Sequence, residues 1–82
     1  MFLAKIYVTL KPKVNDPQGY TIMSSLKILG FKSISGVRTG KYLEIRVNGT
    51  NRNLAESQVE EMCDKLLANP VIEEYLFELT EI

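Results

Sequence analysis

Phe2-Leu3-Ala4-Lys5-Ile6-Tyr7-Val8-Thr9-Leu10 is the stretch that decides the fold. Phe2, Ala4, Ile6, Val8 and Leu10 alternate with Lys5, Tyr7, Thr9 and Lys11. A period of two is the signature of a β-strand with one buried face. Lys11-Pro12-Lys13-Val14-Asn15 then breaks the strand. Asp16-Pro17 follows as a helix start, Asp as the N-cap and Pro at the first helical position, where its missing N–H costs nothing. Ile22, Met23, Leu26 and Leu29 give that helix an apolar stripe, Gly19 weakens its first turn, and Gly30 is placed to end it in a left-handed conformation.

Beyond this helix the pattern predicts a second strand over Phe31 to Arg38, bulged at Gly36, and a hairpin turn at Thr39-Gly40-Lys41. A third strand sends Leu43, Ile45 and Val47 inward and Tyr42, Glu44 and Arg46 outward, ending at Asn48-Gly49. Asn53 is expected to cap a second helix, with Glu56 in the capping-box position. Ala55, Val59, Met62, Cys63, Leu66 and Leu67 mark its buried face, Glu61 and Lys65 pair on its wet side, and Asn69-Pro70 stops it. Val71 to Ile82 is the last strand, with Tyr75, Phe77 and Leu79 alternating against Glu74, Glu78 and Thr80.

The resulting order, βαββαβ, predicts an α+β domain spanning 1–82. Its usual solution is a four-stranded antiparallel sheet with two helices on one face, the ferredoxin-like arrangement. The opposite face would carry Leu3, Tyr7, Tyr42 and Leu76 and be more apolar than a solvated surface. That composition points to a sheet face used for oligomerisation.

Composition excludes more than it suggests. A chain of 82 residues buries only about 60–65% of its unfolded surface, which leaves little room for a deep catalytic cleft. There is no histidine, so a Ser-His-Asp triad, a Cys-His pair and a His-ligated zinc are all excluded. Cys63 is the single cysteine; inside a periodic helix it is expected to pack as a small hydrophobe rather than act as a nucleophile. Gly36-Val37-Arg38-Thr39-Gly40-Lys41 imitates a phosphate-binding loop but has one residue too few between its glycines. Tyr42 also stands where Ser or Thr is required. Glu60-Glu61 and Glu73-Glu74 are sequence neighbours whose side chains diverge, which suits solvated charge and not a catalytic dyad. Asn48-Gly49-Thr50 matches a glycosylation sequon, but the start of the chain lacks the features of a secretory signal. No apolar run approaches the roughly 20 residues of a membrane span, so the default expectation is a cytoplasmic protein that binds no membrane.

The net charge of zero hides a division. Residues 1–53 carry nine Lys/Arg against two Asp/Glu, whereas residues 54–82 carry one Lys against eight Asp/Glu. Solvated faces alone would account for it, and so would a two-sided domain that pairs with itself or with unlike partners. Overall neutrality argues against nucleic acid as the main target, while the basic half keeps that alternative open. No aromatic RNA-binding signature occupies Leu43–Val47. The residues alone therefore describe an interaction module, with candidate partner or oligomer contacts at Tyr7, Lys11, Arg38, Lys41, Tyr42 and Leu76.

Three segments in order carry a resemblance to a known family. Lys5 to Lys11 with Asp16-Pro17-Gln18-Gly19, the hairpin Gly36 to Tyr42, and the run Glu61 to Tyr75 are together similar to the PurS family of phosphoribosylformylglycinamidine (FGAM) synthase subunits. Residues 20–35 and 48–60 match less closely. The resemblance implies a non-catalytic subunit in de novo purine biosynthesis, where a ligase uses ATP and glutamine to convert formylglycinamide ribonucleotide to its amidine. It further implies a homodimer, or a pair of dimers, bridging the synthetase PurL and the glutaminase PurQ and supporting ammonia transfer. ATP and magnesium would sit on PurL, the nucleophilic cysteine on PurQ, and no cofactor, metal or catalytic residue on this chain. The alternative is a free-standing ferredoxin-like regulator that binds a small ligand at a dimer interface.

Overall fold

A computed structural model describes all 82 residues, Met1–Ile82. The strand that opened the reading is the spine of the molecule. β1 (Phe2–Leu10) lies between β2 (Gly40–Val47) and β3 (Glu73–Glu81), antiparallel to both. Phe2, Ala4, Ile6 and Val8 are all buried, as their alternation requires. Leu79 and Val47 join them from the flanking strands, with Leu43, Ile45, Tyr75 and Phe77 packed around the margin.

One helix covers this face. α2 (Arg52–Met62) starts at Asn51, whose side chain accepts from the Leu54 N–H at 3.2 Å. The cap thus falls two residues before the expected Asn53, because Asn51 has the extended backbone an N-cap needs. Ala55 and Val59 point into the core, and a π-helical turn, Cys63–Leu67, continues the helix and buries Cys63. The Arg52 guanidinium donates to the Leu79 carbonyl and ties the start of the helix to β3.

Two expectations are corrected. The sheet has three strands, not four, because Phe31 to Arg38 is irregular. The apolar residues there, Phe31, Ile34 and Val37, recur every third position, so they cannot share one face of a strand. The polar groups of the segment bond elsewhere: the Arg38 guanidinium donates to the carbonyls of Lys11 and Val14 at 3.1 and 2.9 Å. There is accordingly no hairpin at Thr39–Lys41; Gly40 already pairs with Thr9 as the start of β2.

The second correction concerns the helix layer. α1 (Pro17–Ile28) forms where expected, capped by Asp16, and Gly30 closes it with φ of 106°. Yet it contributes nothing to the core, and only Gly19 within it is buried. The molecule measures 50 × 27 × 14 Å with a radius of gyration of 16.4 Å, whereas a compact chain of this length has about 12 Å. Nine residues of strand at about 3.3 Å each, placed end to end with twelve residues of helix at 1.5 Å each, reach about 48 Å. α1 therefore projects beyond the end of the sheet instead of lying on it, and the two helices do not share one face.

Candidate functional site: an open sheet face and a clamped neck

The face of the sheet opposite α2 has no cover. Register places Tyr42, Tyr7 and Leu76 in one row across the three strands. The two tyrosine rings meet with centroids 5.1 Å apart and planes tilted by 39°, a favourable aromatic geometry. Tyr7, Tyr42 and Leu76 remain 39%, 51% and 73% exposed. In the next row Lys5 stands between Glu44 and Glu78, and beyond it Leu3 lies between Arg46 and Thr80. The Tyr42 hydroxyl donates to the Glu44 carboxylate at 2.8 Å, and that bond is the main reason its pKa is pushed up to about 12. An apolar stripe edged by paired charge is the composition of an interface core with its rim.

The candidate basic residues collect at one end of the sheet, away from this row. Lys11 donates from its ammonium to the Pro70 carbonyl at 2.8 Å. Lys41 donates to the Leu67 carbonyl at 3.3 Å and lies 3.9 Å from the Glu73 carboxylate. With Arg38 bound to Lys11 and Val14, all three cations hold loops together at the place where α1 leaves the sheet. Tyr7, Tyr42 and Leu76 thus form one group and Lys11, Arg38 and Lys41 another.

The residue that organises this end was read only as a cap. The Asp16 carboxylate accepts from the Gly19 N–H at 2.9 Å, the Thr39 N–H at 2.7 Å and the Thr39 hydroxyl at 2.9 Å. These bonds, first those from the two backbone N–H groups, hold its pKa below the ordinary value. Asp16 is buried and joins the start of α1 to the start of β2 in a neck. A Cβ on Gly19 would come within 2.3 Å of the Val37 carbonyl oxygen, so the neck closes only around glycine. The Asp-Pro pair signals the cap; nothing in the sequence signals a partner twenty-odd residues downstream. Between the neck and the adjoining end of the sheet lies an open cavity of about 510 Å³, lined by Val8, Leu10, Asp16, Thr39, Lys41 and Glu73 among others.

Nothing in this geometry resembles a catalytic centre. Cys63 is fully buried, and burial, then Asp64 and Glu60, pushes its thiol up, away from the reactive thiolate. Lys41 of the phosphate-loop imitation lies on β2, and six further residues of strand, not a helix, follow it directly. No three His, Cys, Asp or Glu side chains come together as metal ligands, and no helix is long and apolar enough to cross a membrane.

Comparison with known proteins agrees with the resemblance in the sequence. The family model described as PurS: phosphoribosylformylglycinamidine (FGAM) synthase matches residues 3–81. The FGAM synthase subunit PurS of Synechocystis is 47% identical over 78 residues, 95% of this chain and 78% of that protein. The structure of Bacillus subtilis PurS superposes with a TM-score of 0.90 at 43% identity, covering 99% of this chain and all of that one. A chain in the structure of PurLQS from Thermotoga maritima is similar with a TM-score of 0.85 at 30% identity, covering 96% of this chain and 98% of that one. With its whole fold and nearly its whole sequence matched, the chain belongs to the PurS family of FGAM synthase subunits.

Proposed function

We propose that this chain is the non-catalytic PurS subunit of a cytoplasmic FGAM synthase, assembling the synthetase PurL with the glutaminase PurQ. The observation that carries the reading is the match over residues 3–81 together with the likeness to a chain of the PurLQS assembly. The surface supports it. A small domain whose apolar row is exposed and whose only thiol is buried is suited to holding other proteins in register, not to bond chemistry. ATP, magnesium and the glutaminase nucleophile then belong to the partners, and this chain supports passage of ammonia from one to the other by keeping them joined. The open face around Tyr7, Tyr42 and Leu76 serves contact between copies, and the cationic end at Lys11, Arg38 and Lys41 lies within reach of the larger subunits.

Reconstitution tests this. PurL and PurQ without this chain should retain ammonia-dependent synthesis of the amidine but lose most glutamine-dependent synthesis. Full glutamine-dependent turnover in its absence would refute the proposal.

A further inference from the structure

β3 is an edge strand, and the bonds at its two ends show which of its backbone groups are unmet. The Ile72 carbonyl accepts from the Lys11 N–H at 2.8 Å, and the Ile82 N–H donates to the Met1 carbonyl at 2.9 Å. Even-numbered residues of β3 therefore face β1, and in an antiparallel ladder the odd-numbered ones turn their backbone outward. At one end of this edge the Glu73 N–H donates to the Asn69 carbonyl. At the other the Arg52 guanidinium covers the Leu79 carbonyl. Between them, the N–H and C=O of Tyr75 and Phe77 have no partner within the chain. An open row of this kind is a template for one more strand.

The flanks of this row carry charge of one sign. Glu74 and Glu78 stand on the uncovered face of the sheet, beside Leu76. On the other face Asp64 accepts from the Tyr75 hydroxyl at 3.1 Å. Burial first, then Asp64 and more weakly Glu60, pushes the Tyr75 phenol up, so Glu60 also lies near. All four carboxylates are exposed, and none is in an ion pair; the three pairs present engage Glu73, Glu56 and Glu61. A strand added here would point its side chains alternately toward Glu74 and Glu78 and toward Glu60 and Asp64. From Glu73 to Leu79 the edge runs roughly 20 Å at about 3.4 Å per residue, long enough for a short strand.

We propose that this edge takes an extended, Lys- and Arg-bearing segment of one of the larger subunits, added as a further strand beside Tyr75 and Phe77. The inference deepens the assembly role and rests on it. Charge complementarity selects the occupant. The chain itself supplies a precedent, because Arg52 sets a guanidinium on the same edge at Leu79, with Glu56 3.5 Å away. A second copy fits poorly. Two β3 strands paired antiparallel about Leu76 would set Glu74 against Glu78 twice, and like charges directly opposite destabilise a sheet. β3 laid on another copy's β2 would be a head-to-tail contact, which grows into a filament unless it closes as a ring.

The test combines the full chain with PurL and PurQ in the presence of ATP, magnesium and glutamine, and first isolates the complex by size. Hydrogen–deuterium exchange is then read residue by residue in the complex and in this chain alone. The N–H groups of Tyr75 and Phe77 should exchange at least about tenfold more slowly in the complex, because a new backbone bond protects them. Glu74, Leu76 and Glu78 bond to β1 in both samples and serve as the slow reference. A complex in which Tyr75 and Phe77 exchange as in the chain alone overturns the inference and leaves the assembly role standing. Full protection already in the chain alone would give the edge to a second copy and overturn it as well. No complex at all would remove the assembly role and the inference together. Glu74→Lys with Glu78→Lys tests the charge. The pair should weaken the complex by about tenfold at about 0.1 M salt and by much less near 1 M. Equal affinity of the reversed and unsubstituted chains at low salt would rule out a basic occupant.

Discussion

Asp16 decides more than any other single residue. It caps α1 through the Gly19 N–H, as the Asp-Pro pair announces, and it also receives the backbone and hydroxyl of Thr39. A carboxylate with this many donors is stabilised in its charged form, which is why its pKa is lowered. A carboxyl whose folded pKa is depressed adds stability above its unfolded pKa, and that stability is lost as pH falls through the folded value. Asp16→Asn removes the charge but keeps an oxygen and the size of the side chain. Thermal melting of wild type and Asp16→Asn should differ most near neutrality, with the wild type more stable. The gap should close as pH falls below about 4, the ordinary aspartate range. A gap independent of pH would mean that the bonds from Thr39 and Gly19 do not depend on the charge.

At the scale of elements, pairing and packing are separate achievements. β1 holds both neighbours by backbone ladders, and its alternation fixes which residues meet α2. The same alternation sends Tyr7 to the other side, where cross-strand register sets it between Tyr42 and Leu76. Such a row is stable in water only because it is small and edged by Lys5, Glu44 and Glu78; it gains by being covered. Leu76→Asp places a carboxylate in the middle of the row, beside Glu74 and Glu78 on the same strand face. Since Leu76 is 73% exposed, the substitution should leave the melting temperature of the isolated chain nearly unchanged, as surface changes usually do. Its effect should fall on association instead, and the particle mass by sedimentation at micromolar concentration should drop below that of the wild type. Equal masses would remove the open face from the list of contacts between copies.

For the molecule as a whole, the charge division becomes a spatial one. β3, at one edge of the sheet, carries Glu73, Glu74, Glu78 and Glu81 and no cation, whereas β2 at the other edge carries Lys41 and Arg46 against Glu44. The projecting lobe is basic and α2 is acidic. If these surfaces guide unlike partners to different sides, reversal at exposed positions that support no fold contact should slow one association and spare the other. Lys13→Glu with Lys32→Glu reverses the basic side, and Glu60→Lys with Glu74→Lys the acidic one. Arg38 and Lys41 are unsuitable, because both hold loops at the neck. Stopped-flow association with PurL and PurQ should show each defect at about 0.1 M salt and its loss near 1 M, where the Debye length falls from about 10 Å to about 3 Å. Rates unchanged by either pair at low salt would leave the charge division with no part in assembly.

The sequence by itself determined the strands β1, β2 and β3, both helices, the buried thiol and the row of outward apolar residues. Each of these follows from local periodicity or capping, which a chain carries in its own order of residues. The match of three segments to PurS likewise needed no coordinates. Where α1 goes was decided only in three dimensions. Its apolar stripe says that it must be buried but not on what, and the residues that aim it away, Asp16, Thr39 and Arg38, act through hydrogen bonds across long stretches of chain. The fourth strand failed for the same reason. Phe31 to Arg38 has enough β-branched and aromatic residues to suggest one, but strand formation depends on a neighbour with free backbone groups. The neck takes Arg38 and Thr39 to itself, and the segment pairs with neither open edge of the sheet, β2 or β3.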